Sequence, residues 1–402
     1  MDEKNTLNFY KWVFGTCLMP NVASLFHLPS IGMAWTGYAW FLMLLVDLYY
    51  LLAKPGKVSF PYGVWLPWIV VLVGYWMWDL SYFGLQATLQ YLCFLLTGFA
   101  SSKLLYTDAV MEKLFRWFIY LAYYFIVGKL IAFVVPVYVT GGIAALAMIY
   151  SLFGAVGLSL VFISGKSKGW WLYLVPLFIV AVMVTRMGIL MMLVVGAFHF
   201  ANKKVALKLS VITLVGIMGL FIFNSEAFQE KTFGKKRGEI SQIEMRNGRM
   251  ANINNNGRDY MWDIMDKGIA ESPVFGNGTR AELKALKKAG LIFSECHCDY
   301  RAVTYDYGFV GLTCLMIGFL FNFLHLKSKQ GLIEDEITMV TFYSALTLFL
   351  VWIGFMYSDN IMKYASQFGN LHFCLIGITY ARIAYADDIN NYTTIQQRET
   401  DC

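Results

Sequence analysis

The sequence is poor in charged residues, and this shortage already excludes an ordinary soluble protein. Only 14% of its 402 residues are Asp, Glu, Lys or Arg, whereas 58% are hydrophobic. A typical soluble domain carries about 25% charged residues. The seven cysteines, at positions 17, 93, 296, 298, 314, 374 and 402, are scattered and do not suggest a disulfide framework. The first apolar run lacks the basic start and the small-residue cleavage site of a secretory signal peptide.

The apolar residues are grouped into runs of about 17–25, the length that crosses a bilayer as a helix. Because lipid offers no partners for backbone polar groups, such runs must be helical. We therefore predict an all-α, polytopic membrane protein, with residues 1–402 forming a single transmembrane domain. Twelve spans are predicted, at 9–28, 32–53, 63–81, 84–102, 114–135, 141–163, 170–185, 187–201, 206–223, 304–325, 338–358 and 361–382.

Lysine and arginine are concentrated in every second short loop between the predicted spans. Lys4 and Lys11 lie before or at the start of the first span, and the basic loops with the adjoining span ends contain Lys54, Lys57, Lys103, Lys113, Arg116, Lys166, Lys168, Lys203, Lys204, Lys208, Lys327 and Lys329. The positive-inside rule then places both termini in the cytoplasm and the long polar loop 224–303 on the opposite face. Orientation explains the net charge of +6, which is therefore no sign of nucleic-acid binding.

The sequence has no ATP-binding loop of the Walker type. The non-cytoplasmic face, which carries the long loop, has no ATP either. A reaction on that face should therefore use a substrate that is already activated.

Arg258 and a glycine-containing turn are the first candidates in the long loop. Arg258 opens a predicted helix over 259–268, and a guanidinium beside the free N–H groups of a helix start suits a phosphate. The alternative is a solvated arginine on a packed helix. Gly276 and Gly278 follow Pro273 and allow a tight turn, which would either cradle a phosphate or only reverse the chain.

His297 lies just before the tenth predicted span and is a candidate general base. The carboxylates of Glu295 and Asp299 are expected to orient its ring. A zinc site that also uses the neighbouring Cys296 and Cys298 is disfavoured, because three consecutive residues do not readily face one tetrahedral ion. The remaining alternative is a structural histidine hydrogen-bonded at the membrane interface.

Two further polar elements fall on the same predicted face. Arg186 separates two very apolar stretches, where a charge is costly unless it is paired or faces a water-filled cavity. It is either functional or a side chain that reaches the interface. Asp359 and Asn360 precede the last predicted span and would either bind sugar hydroxyls or form a turn.

Taken in order, these pieces resemble the O-antigen polymerase and O-antigen ligase superfamily. Its hallmarks are an Arg-x-x-x-Trp helix, a Pro-x-x-Gly-x-Gly turn and a His-Asn-x9-Gly-x-x-Gly element. Here they correspond to Arg258 with Trp262, to residues 273–278, and to His297 followed by Gly308 and Gly311. The similarity covers residues 180–365, including Thr185-Arg186-Met187-Gly188 and Asp359-Asn360. Cys298 departs from the pattern, which has an amide or hydroxyl side chain there.

The resemblance implies a helical glycosyltransferase of the GT-C type in the bacterial inner membrane, with its active site in a periplasmic loop. Such an enzyme would act without a metal ion or other cofactor on undecaprenyl-diphosphate-linked oligosaccharides, which serve as donor and acceptor. His297, Arg258 and Arg186 would be catalytic. The expected substrate-binding residues are Trp262, Gly276, Gly278, Asp299, Tyr300, Arg301, Asp359 and Asn360.

The polymerase is the preferred reading, with a chain-length regulator as a further expected partner. The alternatives are an O-antigen ligase that transfers the glycan to lipid A–core, a capsule polymerase, and a transporter or lipid flippase. A transporter would be expected to have broken helices or charges within the membrane.

Overall fold

The computed structural model describes residues 2–30, 34–134, 143–200, 213, 224–233, 245–246, 249–250, 258–291 and 295–400. It is helical apart from two short strands, β1 (Met245–Arg246) and β2 (Arg249–Met250), which pair antiparallel. The α-helices are α1 (Glu3–Leu25), α2 (Trp35–Ala53), α3 (Leu66–Trp78), α4 (Tyr82–Ser101), α5 (Asp108–Val134), α6 (Ile143–Phe162), α7 (Gly169–Val182), α8 (Arg186–Phe200), α9 (Glu226–Phe233), α10 (Arg258–Glu271), α11 (Ala281–Lys288), α12 (Asp299–Ser328), α13 (Glu336–Ser358) and α14 (Asn370–Thr400).

Five helices in the described part of the chain, α2, α4, α5, α12 and α13, are long and apolar enough to cross a membrane. Large apolar side chains also lie on the outside of the molecule: Leu52, Val70 and Trp78 expose 83%, 65% and 93% of their surface. Large exposed apolar patches are rare on soluble monomers but suit contact with lipid. These observations agree with the prediction of an all-α membrane protein.

Helices overlap every predicted span except the ninth, 206–223, which lies outside the described residues apart from position 213. The count of twelve spans stays a prediction. The prediction of a single helix over 361–382 is wrong for residues 361–369. There the chain forms a 3-10 helix, Ile361–Tyr364, and a π-helical turn, Ala365–Gly369, before α14 begins.

The tenth predicted span contains a break. Helix α12 is non-helical at Gly308, where φ is 66° and ψ is −173°. A turn of the long loop fills this break, as described below.

Most buried side chains belong to one large apolar core formed by the long helices. Helix α6 packs against α7, α8 and α13, and α4 packs against α2 and α14. A second, smaller core lies under the polar loop where α10 and α11 contact the start of α12. It contains Met261, Trp262, Met265, Leu286, Cys296, Cys298 and Ala302. The part of the loop that contains α10 and α11 is therefore packed against the start of α12.

Candidate functional site

Arg186 and Arg258, 72 positions apart in sequence, are close enough in the structure for their charges to interact. Arg186 is the first residue of α8 and follows a turn in which Val184 has a left-handed backbone, with φ of 51°. Arg258 is the first residue of α10, one position before the start predicted from sequence. Burial and the positive charge of Arg258 both lower the pKa of Arg186. Two guanidinium groups at helix starts whose charges interact favour an anion nearby.

Arg258 is also fixed to the end of α13. Its Nη1 donates a hydrogen bond of 2.7 Å to the backbone oxygen of Ser358, the last residue of that helix. The last carbonyl groups of a helix have no partner within the helix, so a cationic donor suits this position. The contact brings Arg258 to the residue that directly precedes Asp359.

His297 and Asp359 form the third part of the site. The ring nitrogen Nδ1 of His297 lies 3.4 Å from Oδ1 of Asp359. The histidine side chain is 32% exposed and the aspartate side chain 5%. Nε2 makes no hydrogen bond to any residue that the structure describes. A carboxylate on one ring nitrogen of a partly exposed histidine is an arrangement that suits an oriented general base.

The backbone of His297 adopts a left-handed conformation with φ of 49°. This conformation is unfavourable for most residues other than glycine, and such strain is concentrated at functional sites. The expectation that Glu295 and Asp299 orient the ring is wrong, because Asp359 occupies that position. Glu295 contacts Asn360 instead, and Asp299 faces another turn.

Asp359 and Asn360 form the turn that was one of the two sequence interpretations. The N–H of Asn360 donates to Oδ1 of Asp359 at 2.8 Å. The two residues are 3% and 0% exposed. Neither side chain is therefore available to bind a sugar in this conformation. Asp359 instead takes part in the candidate site by contacting the ring of His297.

The first two residues of α12, Asp299 and Tyr300, attach this helix to neighbouring elements. Asp299 is fully buried, and its Oδ2 accepts a hydrogen bond of 3.1 Å from the N–H of Met362. The hydroxyl of Tyr300 donates to the backbone oxygen of Ile353 in α13. Direct binding of substrate by Asp299, expected from sequence, conflicts with its burial. Its observed role is to attach α12 to the turn after Asp359.

Trp262 and Arg301 contact each other rather than an open surface. The guanidinium carbon of Arg301 lies 4.4 Å above the indole ring, and its Nε donates to Asp266 at 2.9 Å. The indole Nε1 donates to the backbone oxygen of Cys296 at 3.0 Å. Trp262 is only 5% exposed. The structure thus gives this pair a packing role that holds α10 against the segment carrying His297.

The glycine-containing turn fills the break in α12. The N–H groups of Phe309 and Val310 donate to the backbone oxygens of Pro273 and Val274, at 2.8 and 3.1 Å. In return, the N–H groups of Asn277 and Gly278 donate to backbone oxygens of α12, at 2.8 and 2.9 Å. These N–H groups are therefore not free to cradle a phosphate.

Gly276 and Gly308 allow this close approach of two backbones. Both have positive φ, 70° and 66°. A Cβ atom on Gly276 would lie 2.4 Å from the nitrogen of Gly308, and one on Gly308 would lie 2.1 Å from the oxygen of Val274. Gly276 of the turn and Gly308 of the Gly-x-x-Gly element are thus explained together by packing.

The sequence did not predict a buried group of charged residues that lies close to the turn at Asp359 and Asn360. Arg280, Glu282 and Lys363 form ion pairs there. A signal was present, because Lys363 and its partner Gln90 lie within apolar runs predicted to span the membrane. Polar residues in such positions are functional candidates by default.

The zinc alternative receives no support from the two cysteines. Both cysteines are buried, and Sγ of Cys296 donates a hydrogen bond of 3.2 Å to the backbone oxygen of Cys298. Within the described ranges, no group of three or more His, Cys, Asp or Glu side chains could hold a metal ion.

Comparison with protein-family models and with curated proteins finds no match to this chain.

Proposed function

We propose that this chain is a membrane-embedded glycosyltransferase that uses a polyprenyl-diphosphate-linked glycan as donor. The observation that carries the proposal is that Arg258 contacts the residue directly before Asp359, which pairs with His297, and that Arg186 lies within electrostatic range of Arg258. These residues come from four separate segments of the chain. Transfer of a glycan from a diphosphate requires positive charge for the leaving diphosphate and a base for the attacking hydroxyl. The two arginines would supply the charge, and His297 would be the base.

In the proposed reaction, a hydroxyl oxygen of the acceptor sugar attacks the anomeric carbon of the donor. The bond between that carbon and the diphosphate oxygen breaks, and the diphosphate leaves with the electron pair. The hydroxyl proton passes to Nε2 of His297, and Asp359 stabilises the resulting imidazolium. Arg186 and Arg258 stabilise the charge that develops on the leaving group, which a metal ion would otherwise neutralise.

Among enzymes of this class, we propose an O-antigen polymerase of the bacterial inner membrane. It would join undecaprenyl-diphosphate-linked repeat units on the periplasmic face. The similarity of residues 180–365 to that superfamily supports this choice. The meeting of the α7–α8 turn, the long loop and the end of α13 agrees with one active face, as the alternation of basic loops predicts.

A transporter remains the second candidate, because two features of the structure fit one. Helix α12 is broken at Gly308, and Lys363 and Glu282 are buried charged groups. Contacts within the protein account for both features, however. Residues 273–278 fill the break, and the buried ions pair with one another. This favours a structural role for each.

Purified protein incubated with lipid-linked repeat units and a chelator tests the proposal. A ladder of longer lipid-linked chains is the expected result. Product that forms only after addition of lipid A–core would identify a ligase, and loss of product with the chelator would require a metal. Movement of the substrate across vesicle membranes without any glycosyl transfer would replace the enzyme by a transporter.

A further inference from the structure

Lys363 lies at the centre of a buried ion network that no sequence motif covers. Its ammonium nitrogen is 3.2 Å from Oε1 of Glu282 and 3.2 Å from Oε1 of Glu295. The lysine side chain is 7% exposed and the Glu282 side chain 1%. Arg280 lies 3.9 Å from the same oxygen of Glu282. A buried charge is tolerated only when it is paired with good geometry, so the positions of these groups are strongly constrained.

The backbone around Lys363 is fixed as well. Gln90 of α4 donates from Nε2 to the backbone oxygen of Lys363 at 2.9 Å, and its Oε1 accepts from Nη2 of Arg280 at 3.0 Å. One glutamine therefore connects the 3-10 helix that carries Lys363 to the start of α11. The network joins α4, α11 and the segment before α12.

The network continues directly into the candidate site. Oε2 of Glu295, the oxygen that does not face Lys363, accepts a hydrogen bond of 3.0 Å from Nδ2 of Asn360. The N–H of Asn360 donates to Oδ1 of Asp359 at 2.8 Å, and that same oxygen faces Nδ1 of His297. Each step is a single hydrogen bond or ion pair.

The charge state of Glu295 agrees with this chain of contacts. Burial alone would raise the pKa of its carboxyl group. Lys363 and Asn360 outweigh burial and hold the pKa of Glu295 below its usual value. The carboxylate is thus ionised at neutral pH and remains a strong acceptor for Asn360.

We propose that Lys363 is a positioning residue that fixes the Asp359 carboxylate against Nδ1 of His297 through Glu295 and Asn360. This inference rests on the proposed function only in taking His297 as the base. The ion network sets where Asn360 lies, and Asn360 in turn sets which oxygen Asp359 presents to the ring. With that oxygen in place, the proton of the neutral ring stays on Nδ1, and Nε2 keeps its lone pair for the acceptor hydroxyl.

The first test is spectroscopic and does not require glycosyl transfer. Full-length protein labelled with ¹⁵N-histidine reports which ring nitrogen of each neutral histidine carries the proton, and His297→Gln assigns the signal. We expect the Nδ1–H form in the wild type and a mixture of both forms in Lys363→Met. Lys284→Met is the matched control, since Lys284 is 70% exposed and lies 3.9 Å from Asp79 on the surface.

The second test separates positioning from substrate binding. Displacement of a catalytic group by about 1 Å can lower the rate about 100-fold. We therefore expect kcat to fall about 10- to 100-fold in Lys363→Met, with KM changed less than about 3-fold. Should this variant not accumulate, Glu295→Gln keeps the shape and an oxygen for Asn360 but loses the ion pair. It is expected to act in the same direction with a smaller loss.

Wild-type ring protonation and wild-type kcat in both variants would overturn the proposal. A change in KM alone would also overturn it, because that result would indicate a role in substrate binding. If ring protonation changes as expected but even the wild type transfers no glycan, the positioning role stands and the proposed function fails.

Discussion

Arg258→Ala is the most direct test of a diphosphate site, and its size follows from the contacts of the side chain. Nη1 donates a hydrogen bond to the backbone oxygen of Ser358, and the guanidinium lies within electrostatic range of Arg186. A hydrogen bond to a charged group contributes about 1.5–3 kcal/mol, so losing one to the diphosphate should lower kcat/KM about 10- to 140-fold. Arg258→Lys should rescue poorly, because an ammonium cannot make the two parallel bonds of a guanidinium.

The double variant adds a sharper criterion. If both arginines hold one diphosphate, Arg186→Ala combined with Arg258→Ala should lose less than the product of the two single losses. Chain-length ladders from purified protein measure all variants at equal concentration. Lys267→Ala is the control, because Lys267 is an exposed cation on the same helix. Wild-type polymer length from Arg258→Ala would remove this residue from the site.

Four further outcomes are expected. His297→Asn, chosen because Asn tolerates a left-handed backbone, should accumulate normally but lose about 10²- to 10⁴-fold in kcat; retained activity would leave His297 a structural role. Gly308→Ala should lower the free energy of unfolding by about 1–3 kcal/mol, measured by denaturation, whereas Gly331→Ala meets open space and should not. The stability that Glu295 contributes is present above its unfolded-state pKa and is lost as pH falls through its lower folded-state pKa. The thermal unfolding temperatures of wild type and Glu295→Gln should therefore converge in acid. A difference in unfolding temperature that stays constant with pH would contradict this. Reporter fusions after Glu239 and Lys204 should report opposite sides of the membrane, and the reverse pattern would invert the topology.

Local sequence patterns predicted much of the helical framework. Apolar runs long enough to cross a bilayer can satisfy their backbone groups only as helices, so the approximate limits of α2, α4 and α13 followed from composition. The helix at Arg258 was also predicted to within a few residues, because Met261 and Met265 repeat at helical spacing. These features depend on neighbours in sequence.

The failures have an equally physical origin. Gly276 and Gly278 suggested a phosphate loop, since positive φ in a glycine-containing turn has that use as well as others. Only the contact with Gly308 shows that the turn donates its N–H groups to a broken helix. The break itself was invisible in a continuous apolar run. Asp299 likewise looked available beside His297, yet the fold buries it under the turn at Met362.

The sequence by itself determined the helical class, the polar character of the long loop and which residues are candidates to hold a diphosphate or accept a proton. Tertiary structure alone decided which carboxylate faces His297, that Arg186 lies within electrostatic range of Arg258, and that Lys363 pairs with Glu282 and Glu295. The reason is that helix formation depends on residues a few positions apart. Ion pairs and general bases depend on distances of about 3 Å between groups far apart in sequence, which only packing of the whole chain can set.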